Sequence, residues 1–269
     1  MSNDGAVRAD GADLGAHTDG AAGAARARRE RPRSNRLPRL PRHDAPDWEA
    51  LEDRLASQSI AAGDPTGWFD RLYAAGAAGE IPMPWSRMEP HHMLVQFARA
   101  RRLTGRGQRA IVVGCGLGAD AEYIARLGYD TVAFDVAETA IRLARQRHPA
   151  TRVDYATADL LNPPAAWSRS FDLVVEVITV QALPEPPRRM AIANVGRFVA
   201  PGGTLVVIAA RQDQPHARVD GPPWPLNRDE IDAFTTDGLR PVHIEALADP
   251  RRANESRWRA EFRRPPPRE

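Results

Sequence analysis

The chain has 269 residues, 42% of them hydrophobic, with a formal net charge of +2 and a single cysteine. That length suits one large domain, or one domain with disordered ends. No lysine occurs, which excludes Schiff-base chemistry on lysine, and the lone Cys115 excludes internal disulfides and cysteine-built zinc clusters. No run reaches the ~18–20 apolar residues of a membrane helix, and the start has no apolar leader core. A cytoplasmic protein with no membrane partner and no metal is therefore expected.

Residues 1–45 are rich in Ala, Gly, Arg and Asp and hold no aromatic residue, so a disordered tail is expected. Arg26 to Arg42 could meet an anionic partner or be plainly solvated. The folded domain should run over 46–264, opening with a helical cap at 46–105. Asp47–Ala62 has helical spacing, with Trp48, Leu51, Leu55 and Ala56 on one face and Asp47 as N-cap. Gly67–Ala75 is a second short helix. Prolines forbid a regular helix in the loop Gly79–Trp85. Glu89–Arg102 is a third helix, with Met93, Leu94, Phe97 and Ala98 inward.

An alternation of strands and helices follows. Strands are expected at Arg109–Gly114, Thr131–Asp135, Arg152–Ala156, Phe171–Val177 and Thr204–Ala209, with helices at Ala119–Leu127, Glu138–Arg147 and Arg188–Phe198. This is the signature of an α/β fold: a doubly wound, mostly parallel sheet with helices on both faces. Asn227 should cap a helix at Arg228–Phe234. Leu239–Ala246 and Ser256–Arg264 read as an antiparallel strand pair that closes a seven-stranded sheet. The tail at 265–269 opens with three prolines and cannot extend a strand ladder.

The turn after the first strand carries Gly114, Gly116 and Gly118, which permit a tight turn and close approach of backbone to a ligand. A helix follows at once, so its first N–H groups face that ligand. Asp135 ends the second strand, 21 residues after Gly114. Its carboxylate can accept from both hydroxyls of a ribose, or cap the next helix. Asp159, after the third strand, could accept an adenine amine or be a solvated loop residue. These features alone leave a dehydrogenase open, since Ala119 could stand for the third glycine of a dinucleotide fingerprint.

The ordered series Gly114–Gly118, Asp135, Asp159, Phe171–Glu176 and Pro201-Gly202-Gly203 resembles class I methyltransferases over roughly residues 66–264. The resemblance implies a Rossmann-like fold that binds S-adenosyl-L-methionine and releases S-adenosyl-L-homocysteine. It assigns the methionine part to Gly114, Cys115, Gly116 and Gly118, the ribose to Asp135 beside Val136, and the adenine to Asp159 beside Leu160. Upstream, Phe69-x-x-x-Tyr73 followed by Pro84-Trp85 is similar to the opening segment of the thiopurine, thiol and halide methyltransferase group. That likeness implies that Phe69, Tyr73 and Trp85 close over the cofactor, and an aromatic face can attract a sulfonium. Packing of a helix against the core would use the same three residues.

Methyl transfer is an in-line displacement, served by alignment and desolvation. Sulfur is the first expected acceptor atom, with oxygen or nitrogen, which more often need a base, as the others. Glu176 and His92 are the candidate catalytic groups, with His91 and His216 as further histidines; Glu176 could equally bind the cofactor amine. Arg211 and Trp224 are candidate substrate contacts, the latter in a stiff loop, Gly221–Leu226. The expected partner is a small-molecule acceptor. Three rivals remain: an NAD(P)-dependent oxidoreductase, a nucleic-acid-binding methyltransferase that uses the Arg-rich ends, and a non-catalytic member that binds cofactor only as a structural part. Against the second, the arginines between Arg251 and Arg268 are interleaved with Glu255, Trp258, Glu261 and Phe262, as on a strand with one wet face.

Overall fold

The computed structural model describes residues 48–212, 221–250 and 255–267. The expected tail at 1–45, the Asp47 cap and His216 lie outside the described residues. Seven strands form one sheet: β1 (Arg109–Val113), β2 (Asp130–Asp135), β3 (Asp154–Thr157), β4 (Phe171–Val177), β5 (Val199–Ala210), β6 (Arg240–Ala248) and β7 (Ser256–Arg263). Their order is β3-β2-β1-β4-β5-β7-β6. The first five are parallel. β7 is antiparallel to β5 on one side and β6 on the other. This is the sheet expected from the sequence, and the order reverses between β1 and β4, where such sheets open a crevice.

Strand alternation divides the core. On one face, Ala110, Val112, Leu173 and Val206 pack against α3 (His92–Arg101), α4 (Ala119–Arg126) and α5 (Glu138–Arg147). On the other, Ile111, Val174, Leu205 and Phe262 pack against α6 (Pro187–Phe198) and α7 (Arg228–Asp232). Fully buried Phe171, Phe198, Phe234 and Phe262 anchor that second layer, each contributing about 1.5–3 kcal/mol by leaving water. A smaller cluster of Leu55, Ala56, Trp68, Leu72 and Ile81 joins α1 (Trp48–Ala61) to α2 (Gly67–Ala77).

Several boundaries move, each for a local reason. The third helix starts at His92 rather than Glu89. Pro90 keeps its predecessor out of the helical region, and His91 Nδ1 accepts the Met93 N–H at 3.3 Å as the cap. The third strand starts at Asp154, because Thr151 Oγ1 takes the Val153 N–H and holds that residue in a turn. The fifth begins early, at Val199, and a register shift opposite Phe171–Leu173 absorbs the Pro-Gly-Gly turn. The last helix stops at Asp232 and continues as a 3-10 stretch to Gly238. Its start is as expected: Asn227 and Glu230 cap each other's backbone N–H.

Arg257, Arg259 and Arg264 are tied into the fold. Arg257 pairs with Asp249 and Glu255, and Arg259 with Glu245. Buried Arg264 donates to the carbonyls of Val199 and Gly196 and pairs with Asp237.

Candidate active site

A cavity opens at the carboxyl ends of β1, β2 and β4, with about 1210 Å³ of space including its mouth. Its floor is the turn after β1. Gly114 has φ +57°, and a Cβ there would lie 2.4 Å from the Thr179 side chain. Only glycine meets both demands at low cost. Gly118 has φ +91° and caps α4, and a Cβ on it would lie 2.1 Å from Tyr155 Oη on the far side of the turn.

Asp135 anchors this turn. Its Oδ2 accepts the Gly116 N–H at 2.9 Å and its Oδ1 the Ala137 N–H at 3.0 Å. Burial pushes its carboxyl up, and the N–H groups of Ala137, Gly116 and Val136 pull it back. Each oxygen keeps a second lone pair, so the side chain holds the turn and can still accept another hydrogen bond. Asp159 stands at the next strand end and accepts the Leu161 N–H at 2.8 Å. Cys115 lines the floor as a thiol, since burial raises it well above its ordinary range.

The opposite wall comes from the helical cap. Asp70 on α2 accepts the Thr139 N–H at 2.7 Å, capping α5 from outside and fixing how α2 lies. This brings Phe69 and Tyr73 to the cavity. Trp85 closes the group, its ring 5.4 Å from Tyr73 and 6.2 Å from Phe69, while staying 37% exposed. Beyond it, Arg87 pairs with Asp120 Oδ2 at 2.8 Å, and Asp120 Oδ1 takes the His91 N–H at 2.6 Å. The buried Asp120 thus pins the Trp85 loop to the first turn of α4, and Arg87 lines the cavity.

Phe69, Tyr73, Trp85, Gly114, Cys115, Gly116, Asp135, Val136, Asp159 and Leu160 are therefore brought together. Five expected site residues are not. Gly118 stands behind the floor. Glu176 is fully buried on the α6 side of β4, sharing the face of Val174. Its Oε1 accepts the N–H groups of Thr179 and Val180 at 2.7 and 3.0 Å, and burial pushes its carboxyl to about 7. It shapes the loop after β4 from beneath. His92 turns away to Asp249, 3.8 Å distant. Burial and the Arg87 guanidinium hold its neighbour His91 down at about 4, so the histidine that caps α3 is neutral. Arg211 bridges to Leu226 and lies 5.0 Å from the Trp258 ring. Trp224 is fixed by its N–H on the Gln181 carbonyl and by Arg188 over its ring, so Pro223 meets the cavity in its place.

Glu52, Thr66, Arg87, Asp120 and Thr179 line the cavity without a sequence signal that singled them out as site residues, and Pro223 reaches it from the expected loop Gly221–Leu226. Among the described residues no His, Cys, Asp and Glu cluster could hold a metal ion, and no helix is long and apolar enough to cross a membrane.

The family described as "Methyltransferase domain" matches residues 110–203. A 2-heptyl-1-hydroxyquinolin-4(1H)-one methyltransferase of Mycobacteroides abscessus is 26% identical over 205 residues, 72% of this chain and 88% of that protein. A ubiquinone biosynthesis O-methyltransferase of Xanthomonas oryzae is 33% identical over 106 residues, only 39% of this chain and 44% of that protein. Among solved structures, the N-methyltransferase NodS from Bradyrhizobium japonicum is 25% identical, with a TM-score of 0.52, covering 64% of this chain and 93% of that one. NodS has also been solved with S-adenosyl-L-homocysteine.

Proposed function

We propose that this chain, which is a class I S-adenosylmethionine-dependent methyltransferase, methylates a hydroxyl group on a flat, mostly apolar ring. The observation that carries this reading is the apolar part of the cavity lining. Phe69, Ile178, Ala182, Leu183 and Pro223 contribute to it, with Glu52, Thr66 and Thr179 among the polar groups of the same cavity. An apolar slot with few polar groups selects a flat apolar ligand and orients it by hydrogen bonds. The names of the hydroxyquinolinone and ubiquinone relatives agree with a ring substrate.

The residues present fit the cofactor. The glycine turn leaves no room for side chains, since a Cβ on Gly114 or Gly116 would press on Thr179 or Tyr73, and this agrees with a backbone cradle at the cavity floor. Asp135 would hold the ribose, Val136, Asp159 and Leu160 the adenine, and Arg87 the methionine carboxylate. Phe69, Tyr73 and Trp85 would face the sulfonium. When bound, the cofactor supplies an electrophilic methyl group on that sulfonium; the chain aligns the nucleophile and excludes water.

A sulfur acceptor is the second reading. The aromatic group of Phe69, Tyr73 and Trp85, which resembles the thiopurine, thiol and halide methyltransferases, favours it. A panel of hydroxyquinolines, phenols, thiophenols and anilines with methyl-labelled S-adenosylmethionine separates the two. Label transfer to the hydroxylated rings is expected. Transfer to thiophenols alone would replace this reading by the second.

A further inference from the structure

We propose that Ile178 is a specificity-determining residue for the ring acceptor and that Glu176 is the positioning residue that holds it in place; this rests on the hydroxylated-ring reading above. Ile178 has φ +59°, in the left-handed region. A β-branched side chain is rarely found there, because its Cβ crowds the following carbonyl. Among the described residues the other non-glycine positions with positive φ are Trp85, Arg102, Arg106, Arg169 and Asp237. The three arginines and Asp237 are exposed and charged. Trp85 and Ile178 line the cavity, and Ile178 alone is β-branched. Strain of this kind persists where the surroundings over-determine it, and it gathers at ligand sites.

The surroundings of Ile178 do over-determine it. Its own N–H donates to the Ile208 carbonyl of β5 at 2.8 Å. The next two N–H groups, of Thr179 and Val180, both go to Glu176 Oε1. Thr179 Oγ1 donates to the Val113 carbonyl of β1 at 3.0 Å. The backbone is therefore tied at Ile178 and on the residues after it, to β5, to β1 and to Glu176. Of these anchors Glu176 is the costly one. It is fully buried, and its Oε2 has no hydrogen-bond partner among the described residues. An acid in that setting destabilises the fold. Strain and a buried acid thus fall within three residues of chain, and local rules broken together in this way mark functional positions.

The sheet order bears on which ligand Ile178 meets. In the reading above, the cofactor lies over the ends of β1, β2 and β3, on Gly114–Gly118, Asp135 and Asp159. β4 stands on the other side of β1 from β2 and β3. Ile178, the residue after β4, enters the cavity from that other side. The Trp224 N–H on the Gln181 carbonyl seats the loop of Pro223 against the same segment, so two apolar lining residues come from joined pieces of chain. An apolar side chain on a backbone that cannot shift discriminates between acceptors by their shape.

The test uses full-length protein and a hydroxyquinoline with a set of analogues, each carrying one phenyl group at a different ring position. The quantity followed is kcat/KM for each analogue divided by that for the parent ring. Glycine suits φ +59°, so Ile178→Gly keeps the turn and removes the wall. It should raise the ratio by about tenfold or more for at least one analogue, the range of a methylene or more in an apolar pocket, with the change in KM. Ile178→Val should raise it less. Glu176→Gln keeps an oxygen for both N–H groups and should keep the wild-type ratio. Glu176→Met removes that oxygen and should shift the ratio in the direction of Ile178→Gly. The double variant should shift it no further than Ile178→Gly alone, because the two act at one position. Where Glu176→Met does not fold, Glu176→Asp, whose shorter carboxylate cannot span to both N–H groups, takes its place. Calorimetric affinity for S-adenosylhomocysteine should stay at the wild-type value in both Ile178 variants. No shift for any analogue in Ile178→Gly, a loss shared equally by all acceptors, or weakened cofactor binding would each overturn the specificity assignment. Additive shifts in the double variant, or a Glu176→Gln ratio as altered as that of Glu176→Met, would overturn the positioning role. A wild-type protein inert toward every hydroxylated ring would instead remove the reading on which the inference rests.

Discussion

One wall of the cavity is backbone from the carboxyl edge of the sheet; the other is side chains from α1, α2 and the loops carrying Trp85 and Pro223. On the first wall, Gly114–Gly118 and Asp135 belong to adjacent strand ends in fixed parallel register. Their geometry follows once the sheet forms. On the second, four separate segments must meet through packing and single bonds, such as Asp70 to Thr139 and Asp120 to His91. In the proposed reading the first wall meets the cofactor and the second, with the Ile178 side chain, the acceptor. Perturbing the two walls should therefore give different signatures: loss of fold and cofactor on one, selective loss of affinity or turnover on the other.

The largest effect is expected at the floor. Gly114→Val puts a branched side chain at φ +57° and against Thr179. Strain and overpacking together should cost about 2–5 kcal/mol, read by urea unfolding, and abolish the thermal shift given by S-adenosylhomocysteine. A stable variant that keeps that shift would show the turn is not the cradle.

Glu176 comes next, because it supports the floor while buried. Its folded pKa of about 7 lies above the ordinary 4.5. The sign follows: its contribution is fully present below pH ~4.5 and is lost as pH rises through 7, since the unfolded chain releases the proton first. Glu176→Gln removes that titration. It should match wild type in stability near pH 4.5 and exceed it by up to about 3 kcal/mol above pH 8. Parallel stability curves from pH 4.5 to 8.5 would contradict a buried, raised carboxyl.

Asp135→Ala should cost less in fold and more in ligand. It strands the Gly116 and Ala137 N–H groups, worth about 1–3 kcal/mol, and should weaken S-adenosylhomocysteine at least about tenfold in calorimetry. The smallest effect belongs to the aromatic wall. Trp85→Ala should leave unfolding unchanged and weaken S-adenosylmethionine by about 3–30-fold, the range of a cation–π contact. The neutral thioether product should lose less. Equal weakening of both ligands would mean that the ring packs rather than attracts the sulfonium.

This division also explains what could be read in the sequence. The existence and order of the strands, the glycine turn and Asp135 follow from local periodicity and from glycine's conformational freedom, while the ends of β3 and β5 shift with local hydrogen bonds and register. Phe69, Tyr73 and Trp85 were legible only through a family resemblance, since their meeting depends on how α2 docks on α5. Arg87, Pro223 and Glu52 converge from segments far apart in the chain, and no spacing rule links them. Glu176 misled for a physical reason. A carboxylate near the end of β4 suits a ligand site, yet the pleat turns it toward α6, where it caps its own loop. Trp224 differs likewise: its backbone bond to Gln181 and the Arg188 guanidinium over its ring leave the adjacent Pro223 to line the cavity.

Calorimetric titration of S-adenosylhomocysteine into the full-length chain, repeated with Asp135→Ala and with NADH as the competing ligand, tests the central claim most directly. A single site for S-adenosylhomocysteine, weakened by the substitution, and no heat from NADH are expected. Binding of NADH instead, or S-adenosylhomocysteine binding indifferent to Asp135, would contradict a cofactor seated on the glycine turn.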